Sequence, residues 1–238
     1  MIAIRDITVA FGGVTALNRL TVDLADPVVG IIGPNGAGKT TFLNVMSGFV
    51  LPKAGSIDAF GTEILALRPH QRSRWGLRRS FQKEQVVDEL TVEENVGVVL
   101  DSLSLGTAER ERQLSQALEF AGLAPLRKVR AAGLNAFFRR MTEIARCVAG
   151  QPKLLLLDEP GAGLSQNEVE ILRRTISDIH GFNGAMTLLI DHDVDLIQAV
   201  CSSTMVLDFG SLVTSGPTRD VLSDPRVRAV YLGVEEVA

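Results

Sequence analysis

Residues 33–41 read Gly33-Pro34-Asn35-Gly36-Ala37-Gly38-Lys39-Thr40-Thr41. A glycine, four residues and then Gly-Lys-Thr is the pattern of a phosphate-binding loop. The apolar run from Val28 to Ile32 predicts a buried strand before it, and residues 40–47 predict a helix that begins directly after the glycines. Because the loop lies between a strand and a helix, the stretch indicates a nucleotide-binding α/β protein.

The chemistry of this stretch points to a nucleoside triphosphate. Glycines let the backbone curl so that successive N–H groups face one anion, and the helix N-terminus adds a partial positive charge. Lys39 can then reach the β- and γ-phosphates, while the Thr40 hydroxyl can ligate Mg²⁺. The alternative is a glycine-rich turn that binds nothing, and the flanking strand and helix argue against it.

Composition limits the remaining possibilities. The chain has 238 residues, of which 46% are hydrophobic and 22% charged, and its net charge is −4. We expect one large α/β domain, and the negative charge argues against general nucleic-acid binding.

Cys147 and Cys201 lack metal-ligand spacing and are expected to be buried and without a disulfide. Arg5 and Asp6 argue against a signal peptide, and no apolar run approaches the ~20 residues of a membrane span.

Apolar runs and helical patterns alternate along most of the chain. Strands are predicted at Val28–Ile32, 154–157 and Met186–Ile190, and this alternation implies a mostly parallel sheet. The first ~25 residues instead favour an antiparallel sheet. We expect a single domain over residues 1–238. Its nucleotide-binding core would comprise 1–87 and 151–238, and about 88–150 would form a helical subdomain.

Two carboxylates follow the second predicted strand. In the run from Lys153 to Pro160, Asp158 ends a buried strand, and open α/β sheets bind ligands at that edge. Asp158 can hold the Mg²⁺ that Thr40 also contacts, and Glu159 suits the general base for an attacking water. The run alone would fit a strand-end turn. Its presence in one chain with the phosphate loop favours hydrolysis of the nucleotide.

Two other polar residues follow predicted strands. His192 precedes a helix expected near Asp193, and a histidine there can hydrogen-bond a γ-phosphate, although a lone histidine is more often structural. Gln82 follows a short β-like stretch, and its amide can contact Mg²⁺ or the attacking water. Spacing alone does not establish that role. His70 and His180 lack such a context and are expected at the surface.

Taken in order, these motifs resemble the ATP-binding subunit of an ABC transporter. They are the phosphate loop, Gln82, residues 89–96 (Glu-Leu-Thr-Val-Glu-Glu-Asn-Val), Asp158-Glu159-Pro160 and His192. The chain resembles the branched-chain amino-acid importer group in particular, and urea and short-chain amide importers look similar. The features of that group are residues 11–17 (Phe-Gly-Gly-Val-Thr-Ala-Leu), 162–164 (Ala-Gly-Leu) and 231–233 (Tyr-Leu-Gly).

The resemblance implies a fold, a reaction and partners. The fold would be a P-loop NTPase of the ABC type with a mostly parallel sheet, an N-terminal antiparallel β subdomain and an inserted helical subdomain. The reaction would be hydrolysis of ATP with Mg²⁺. The partners would be transmembrane permease subunits, a second ATPase subunit and, indirectly, an extracytoplasmic solute-binding protein. The chain would lie peripherally on the cytoplasmic face of the plasma membrane.

The resemblance also implies a role for each matching residue. Phe11 would stack on adenine, although an ordinary apolar strand residue is the alternative. Gln82 would sense Mg²⁺ and the γ-phosphate, and Asp158 would hold the metal. Glu159 would polarise water, and His192 would hold the γ-phosphate.

One segment departs from the family pattern. The signature Leu-Ser-Gly-Gly-Gln aligns with residues 134–138, which read Leu-Asn-Ala-Phe-Phe. Asn135 can replace the serine hydroxyl and cap a helix, whereas Phe137 puts a ring where backbone is expected to approach phosphate. We therefore hypothesise an intact nucleotide site that cannot complete a partner's site, which favours a heterodimer over a homodimer. A tolerated variant of the signature is the alternative.

Three other interpretations are open to the sequence. A soluble ABC ATPase of DNA repair or translation would need long coiled coils or two fused ATPase units, and neither is present. An ATP-gated regulatory subunit with little hydrolysis fits the altered signature but not the retained Glu159 and His192. The basic cluster of Arg68, Arg72, Arg74, Arg78 and Arg79 is interpreted as a solvated helix face and not as a nucleic-acid site.

Overall fold

The computed structural model describes residues 1–227, so the Tyr-Leu-Gly segment at 231–233 lies outside the described residues. The strands are β1 (Ile2–Phe11), β2 (Val14–Leu24), β3 (Val28–Ile32), β4 (Ala54–Ala59), β5 (Thr62–Glu63), β6 (Leu77–Arg79), β7 (Leu154–Asp158), β8 (Met186–Ile190), β9 (Ser203–Asp208) and β10 (Ser211–Pro217). The helices are α1 (Lys39–Ser47), α2 (Pro69–Trp75), α3 (Val92–Asp101), α4 (Thr107–Phe120), α5 (Ala136–Val148), α6 (Gln166–Asn183), α7 (Val194–Val200) and α8 (Thr218–Ser223). Two compact units contain them, one made of residues 1–72 with 188–227 and one of residues 73–187.

An antiparallel sheet begins the first unit. Its strand order is β2-β1-β4-β5, with Ile2 opposite Leu24 on one side and Ala59 on the other. Alternate side chains of β1, including Ile2 and Ile4, are fully buried because side chains of a strand point in turn to opposite faces. The antiparallel N-terminal region expected from the sequence is confirmed.

A second sheet of the first unit carries the phosphate loop. β3 pairs in parallel with β9, and β9 pairs antiparallel with β10. All five residues of β3 are buried, which is the pattern of a strand covered on both faces. α1 follows β3 after the loop, so the predicted order of strand, loop and helix is confirmed.

The second unit contains the acidic strand and the four helices α3, α4, α5 and α6. β6 pairs in parallel with β7, with Arg79 opposite Leu156, and all five residues of β7 are buried. Between residues 88 and 150 lie α3, α4 and α5. Capping boxes start α3 at Thr91 and Glu94 and α6 at Ser165 and Glu168. The subdomain limits expected from the sequence stay a prediction.

The interpretation of the basic cluster as a solvated helix face was wrong for Arg72, Arg78 and Arg79, whereas Arg68 and Arg74 are exposed. Arg72 is buried, and its Nη1 donates to the carbonyl oxygens of Val45 and Met46 at 2.5 and 2.8 Å, at the carboxyl end of α1. Arg78 is also buried, in β6, and donates to the carbonyl of Ser73 at 2.5 Å. These guanidinium groups bind backbone carbonyls because a buried charge needs hydrogen-bonded partners.

Both cysteines are buried and free, as expected. Burial raises the pKa of each thiol, Cys147 and Cys201, to about 12. Neither thiol therefore has the thiolate character that reactivity requires. Across residues 1–227, no helix combines the length and apolar character needed to cross a membrane.

Candidate nucleotide site

The side chain of Lys39 is held by the phosphate loop itself. Its Nζ donates to the carbonyl oxygens of Gly33 and Pro34 at 2.6 and 3.0 Å, and the residue is buried. The loop therefore curls around the ammonium group, and this places a positive charge at the start of α1. Thr40 is exposed in the first turn of that helix and Thr41 is half-buried.

Two glycines of the loop are required by close contacts. Gly33 has φ of 147°, and a Cβ there would lie 2.0 Å from the carbonyl oxygen of Leu207. Gly38 has φ of 100°, caps α1, and would place a Cβ 2.5 Å from the carbonyl oxygen of Ala16. Any larger residue would meet both a disfavoured backbone conformation and a clash with main chain.

The turn between β9 and β10 braces the loop, a contact that the sequence motif did not indicate. The N–H of Gly210 donates to the carbonyl of Ala37 at 3.0 Å, and the carbonyl of Gly210 accepts from the N–H of Asn18 at 2.8 Å. A glycine in a turn after an apolar run was the available signal, and it is common to many turns. Backbone bonds from another hairpin thus fix the loop's conformation.

Phe11 ends β1 opposite Val14, and its ring is 53% exposed. An exposed ring at this position is able to stack on a base, whereas a core strand residue would be covered.

His192 is also exposed. It lies between Asp191, whose carboxylate accepts from the N–H of Asp193, and Asp193 itself, which caps α7. The helix expected near Asp193 is confirmed, and the roles of Phe11 and His192 stay predictions.

In the second unit, Asp158 is held by two residues of the neighbouring strand segment. Its Oδ2 lies 3.2 Å from Nη2 of Arg79, and the two side chains are 5% and 6% exposed. The Oγ of Ser80 accepts from the N–H of Asp158 at 3.2 Å, and the N–H of Ser80 donates to the carbonyl of Leu156. Burial lowers the pKa of Arg79, and the nearby Asp158 opposes that shift. The sequence did not identify Arg79 as a partner of this carboxylate.

Gln82 and Glu159 meet directly. The amide Nε2 of Gln82 donates to Oε2 of Glu159 at 2.8 Å. Glu159 has φ of 49°, a left-handed conformation that is rare for residues with a side chain. Such strain is found at functional sites, where the surrounding structure maintains it. The structure thus brings together Gln82, Asp158 with its partner Arg79, and Glu159.

A buried ion pair positions the backbone around Gln82. Arg140 and Glu143 of α5 are 1% and 0% exposed and lie 2.6 Å apart. Arg140 donates to the carbonyls of Phe81 and Gln82 at 2.8 and 2.9 Å, while Glu143 accepts from the N–H groups of Phe81 and Gln85. Desolvation raises the pKa of Glu143, and the charge of Arg140 opposes the shift.

The altered signature segment begins α5. Asn135 is its N-cap, and the side chain accepts from the N–H of Phe138 at 2.9 Å, so the predicted helix cap is confirmed. The ring of Phe137 is only 9% exposed and packs at the ring of Phe138. Within residues 134–138, Asn135 and Ala136 are exposed, whereas Leu134 and Phe138 are half-buried.

Each unit offers an oxygen ligand of the kind that Mg²⁺ prefers. In the first unit this is the Thr40 hydroxyl and in the second the Asp158 carboxylate, and Mg²⁺ commonly uses one or two protein oxygens with water and phosphate. Among residues 1–227, no cluster of three or more histidine, cysteine, aspartate or glutamate side chains suits a metal ion.

A phosphate loop between a buried strand and a helix, in a chain with a carboxylate at the end of another buried strand, defines a phosphate-loop nucleotide hydrolase. Residues 17–162 match the ABC transporter family model. The chain belongs to the ABC transporter ATP-binding family, which binds ATP and hydrolyses it to power transport.

The chain has relatives among both transport ATPases and solved structures. It is 38% identical over 206 residues to the lipopolysaccharide export system ATP-binding protein LptB of Acidithiobacillus ferridurans, covering 87% of this chain and 85% of that protein. It is 33% identical over 249 residues to the high-affinity branched-chain amino acid transport ATP-binding protein LivG of Salmonella typhimurium, covering 98% of each. The ADP conformation of MJ1267, an ATP-binding cassette of an ABC transporter, superposes with a TM-score of 0.85 at 26% identity, covering 98% of this chain and 99% of that one. The ABC resemblance and the fold class are thereby confirmed.

Proposed function

We propose that this chain powers a membrane importer for branched-chain amino acids or a related small polar solute. The observation that carries the proposal is the similarity to LivG over nearly the full length of both chains. The importer-like segments 11–17 and 162–164 support it from the sequence. ATP hydrolysis would power transmembrane permease subunits, and an extracytoplasmic solute-binding protein would deliver the solute. The chain would lie on the cytoplasmic face of the plasma membrane.

Lipopolysaccharide export is the second candidate, favoured by the higher identity to LptB over a shorter part of the chain. Uptake of radiolabelled leucine, valine, urea and a short-chain amide in a deletion strain distinguishes the two. The strain is complemented with the wild-type chain or with Lys39→Ala. Restored leucine uptake by the wild type alone supports the proposal. Unchanged uptake together with an outer-membrane defect would favour export.

Nucleotide binding would use the first unit. Gly33, Pro34, Asn35, Gly36, Ala37, Gly38, Lys39, Thr40 and Thr41 would surround the phosphates. Their N–H groups, the Lys39 ammonium and the start of α1 supply the positive charge. Phe11 would stack on the adenine, and His192 would donate to the γ-phosphate.

Hydrolysis would use the carboxylates of the second unit. Thr40, Asp158 and Gln82 would hold Mg²⁺, which when bound neutralises charge on the phosphates. Glu159 would orient and deprotonate the attacking water, and its bond with Gln82 would orient the carboxylate. Positioning and charge neutralisation account for most of the rate in such phosphoryl transfer.

The altered signature favours a heterodimer. In the family, the segment that corresponds to residues 134–138 contacts the nucleotide of the partner subunit. In this chain, Asn135 would present a side-chain amide to that nucleotide and Ala136 only a methyl group. We propose that this chain supplies a functional nucleotide site but completes a partner's site poorly. Steady-state ATPase of the chain alone and of the chain mixed with a cognate second ATPase subunit tests this. Robust turnover by the chain alone would refute it.

A further inference from the structure

One short segment engages both carboxylates of the second unit. Arg79, the last residue of β6, contacts Asp158, and Gln82, three residues later, contacts Glu159. The first contact is an ion pair with both side chains almost fully covered. A buried carboxylate is costly unless a cation or several hydrogen bonds compensate it, and Arg79 is the cation that lies beside Asp158.

The proposed metal and the guanidinium need the same carboxylate. Placing a divalent cation beside Arg79 in this covered environment would oppose like charges where solvent screens them weakly. If the metal replaces the guanidinium of Arg79, the carboxylate of Asp158 has a cation beside it both before and after the exchange. The guanidinium also contacts an aromatic ring, because its Cζ lies 4.9 Å from the centre of the Phe81 ring, and this contact does not depend on the carboxylate.

We propose that Arg79 is a built-in competitor of Mg²⁺ for Asp158, so that metal binding displaces the guanidinium from the carboxylate. The inference rests on the proposed role of Asp158 as a metal ligand. Arg79 thereby lowers the affinity of the nucleotide-bound chain for the metal. Because Arg79 and Gln82 share one segment, the exchange also connects metal loading to the residue that contacts Glu159.

Binding of Mn²⁺ to the full chain in the presence of a non-hydrolysable ATP analogue tests the proposal. Free Mn²⁺ is measured by electron paramagnetic resonance for the wild type and for Arg79→Met, Arg79→Lys and Asp158→Asn. Arg74→Met is the matched control, because Arg74 is exposed on α2. Arg79→Met is expected to bind Mn²⁺ about tenfold more tightly, the equivalent of one charge-assisted contact. Arg79→Lys and Arg74→Met are expected to stay close to the wild type.

Three results are decisive. Unchanged or weaker Mn²⁺ binding by Arg79→Met, with binding lost in Asp158→Asn, overturns the competition while leaving the metal site intact. Unchanged binding by Asp158→Asn overturns the metal assignment itself and the inference with it. Tighter binding by Arg79→Met with loss in Asp158→Asn supports both.

A measurement on the wild type covers the case in which Arg79→Met does not fold. The guanidinium resonance of Arg79 is assigned by its absence from Arg79→Lys and followed by nuclear magnetic resonance while Mg²⁺ is added to the nucleotide-bound chain. A saturable change of this resonance supports displacement. A resonance unaffected by saturating Mg²⁺ overturns it.

Discussion

The amide nitrogen of Gln82 lies 2.8 Å from a carboxylate oxygen of Glu159, although the two residues are 77 positions apart. The contact joins the segment after β6 to the strained residue after β7. Gln82 is therefore placed to sense any change at Glu159, the proposed base, and four backbone contacts from Arg140 and Glu143 hold the residues around it.

Replacing Glu159 with glutamine should abolish turnover while leaving nucleotide binding intact. The amide cannot take a proton from water, and loss of a general base costs on the order of a hundredfold or more in rate. Steady-state ATPase and binding of a fluorescent ATP analogue are measured side by side, with the exposed Glu119→Gln as control. Turnover equal to that of the control would contradict the role of Glu159.

Replacing Lys39 with alanine should weaken ATP binding by roughly tenfold to a hundredfold, since charge-assisted bonds to phosphate are lost. Isothermal titration with ATP measures the affinity. The matched control is Lys53→Ala, because Lys53 is exposed. Equal affinity of the two variants would remove the basis for the phosphate site.

Gly33→Ala should destabilise the fold more than Gly36→Ala. Both glycines have positive φ, but only at Gly33 would the new Cβ meet main chain, at 2.0 Å from the carbonyl oxygen of Leu207. The left-handed conformation costs each variant about 1 kcal/mol, and the clash adds to that cost at Gly33 alone. Urea unfolding measures the difference, and equal losses of stability would show that the loop relaxes around the methyl group.

Arg140→Met should lower both stability and turnover. Removing one partner of a buried ion pair costs about 3–5 kcal/mol, and the carbonyls of Phe81 and Gln82 lose their donor. The neighbouring Arg139→Met is the control, because its partner Asp88 is exposed. Urea unfolding gives the free energies, and turnover is compared after both variants are confirmed folded at low temperature. A smaller effect at Arg140 than at Arg139 would exclude the proposed positioning of Gln82.

Asn135→Ala should cost about 1 kcal/mol, since the cap of α5 is lost, and Asn135→Ser should recover most of that. The serine variant also restores the hydroxyl of the family signature. If this hydroxyl limits a partner's site, Asn135→Ser together with Ala136→Gly should raise the ATPase of the mixture with a second subunit. Thermal unfolding and ATPase assays separate the two effects. Stability unaffected by Asn135→Ala would contradict the capping contact.

Local sequence was sufficient for the phosphate loop and its supporting elements. Gly33, Gly38 and Lys39 lie within one short stretch, and the chemistry of a strand, a glycine loop and a helix start depends on neighbours in the chain. The apolar runs of β3 and β8 have the bounds that the sequence predicted, because burial on both faces leaves few polar residues in a strand. The helix cap at Asn135 was also predictable, because a capping side chain bonds to backbone only a few residues further along the chain.

Tertiary structure alone decided which arginines are buried and what they bind. Arg72, Arg79 and Arg140 have no distinguishing pattern, because a charged side chain is buried only where distant carbonyls or carboxylates converge on it. Arg72 reaches carbonyls 26 and 27 residues away, and Arg79 reaches a carboxylate 79 residues away. The periodicity of a sequence indicates which face of one element is polar. The partners of Arg72 and Arg79, in contrast, lie on other elements. The local sequence therefore determined the nucleotide-binding loop. The packing of β6, β7 and α5 determined the ion pairs Arg79–Asp158 and Arg140–Glu143.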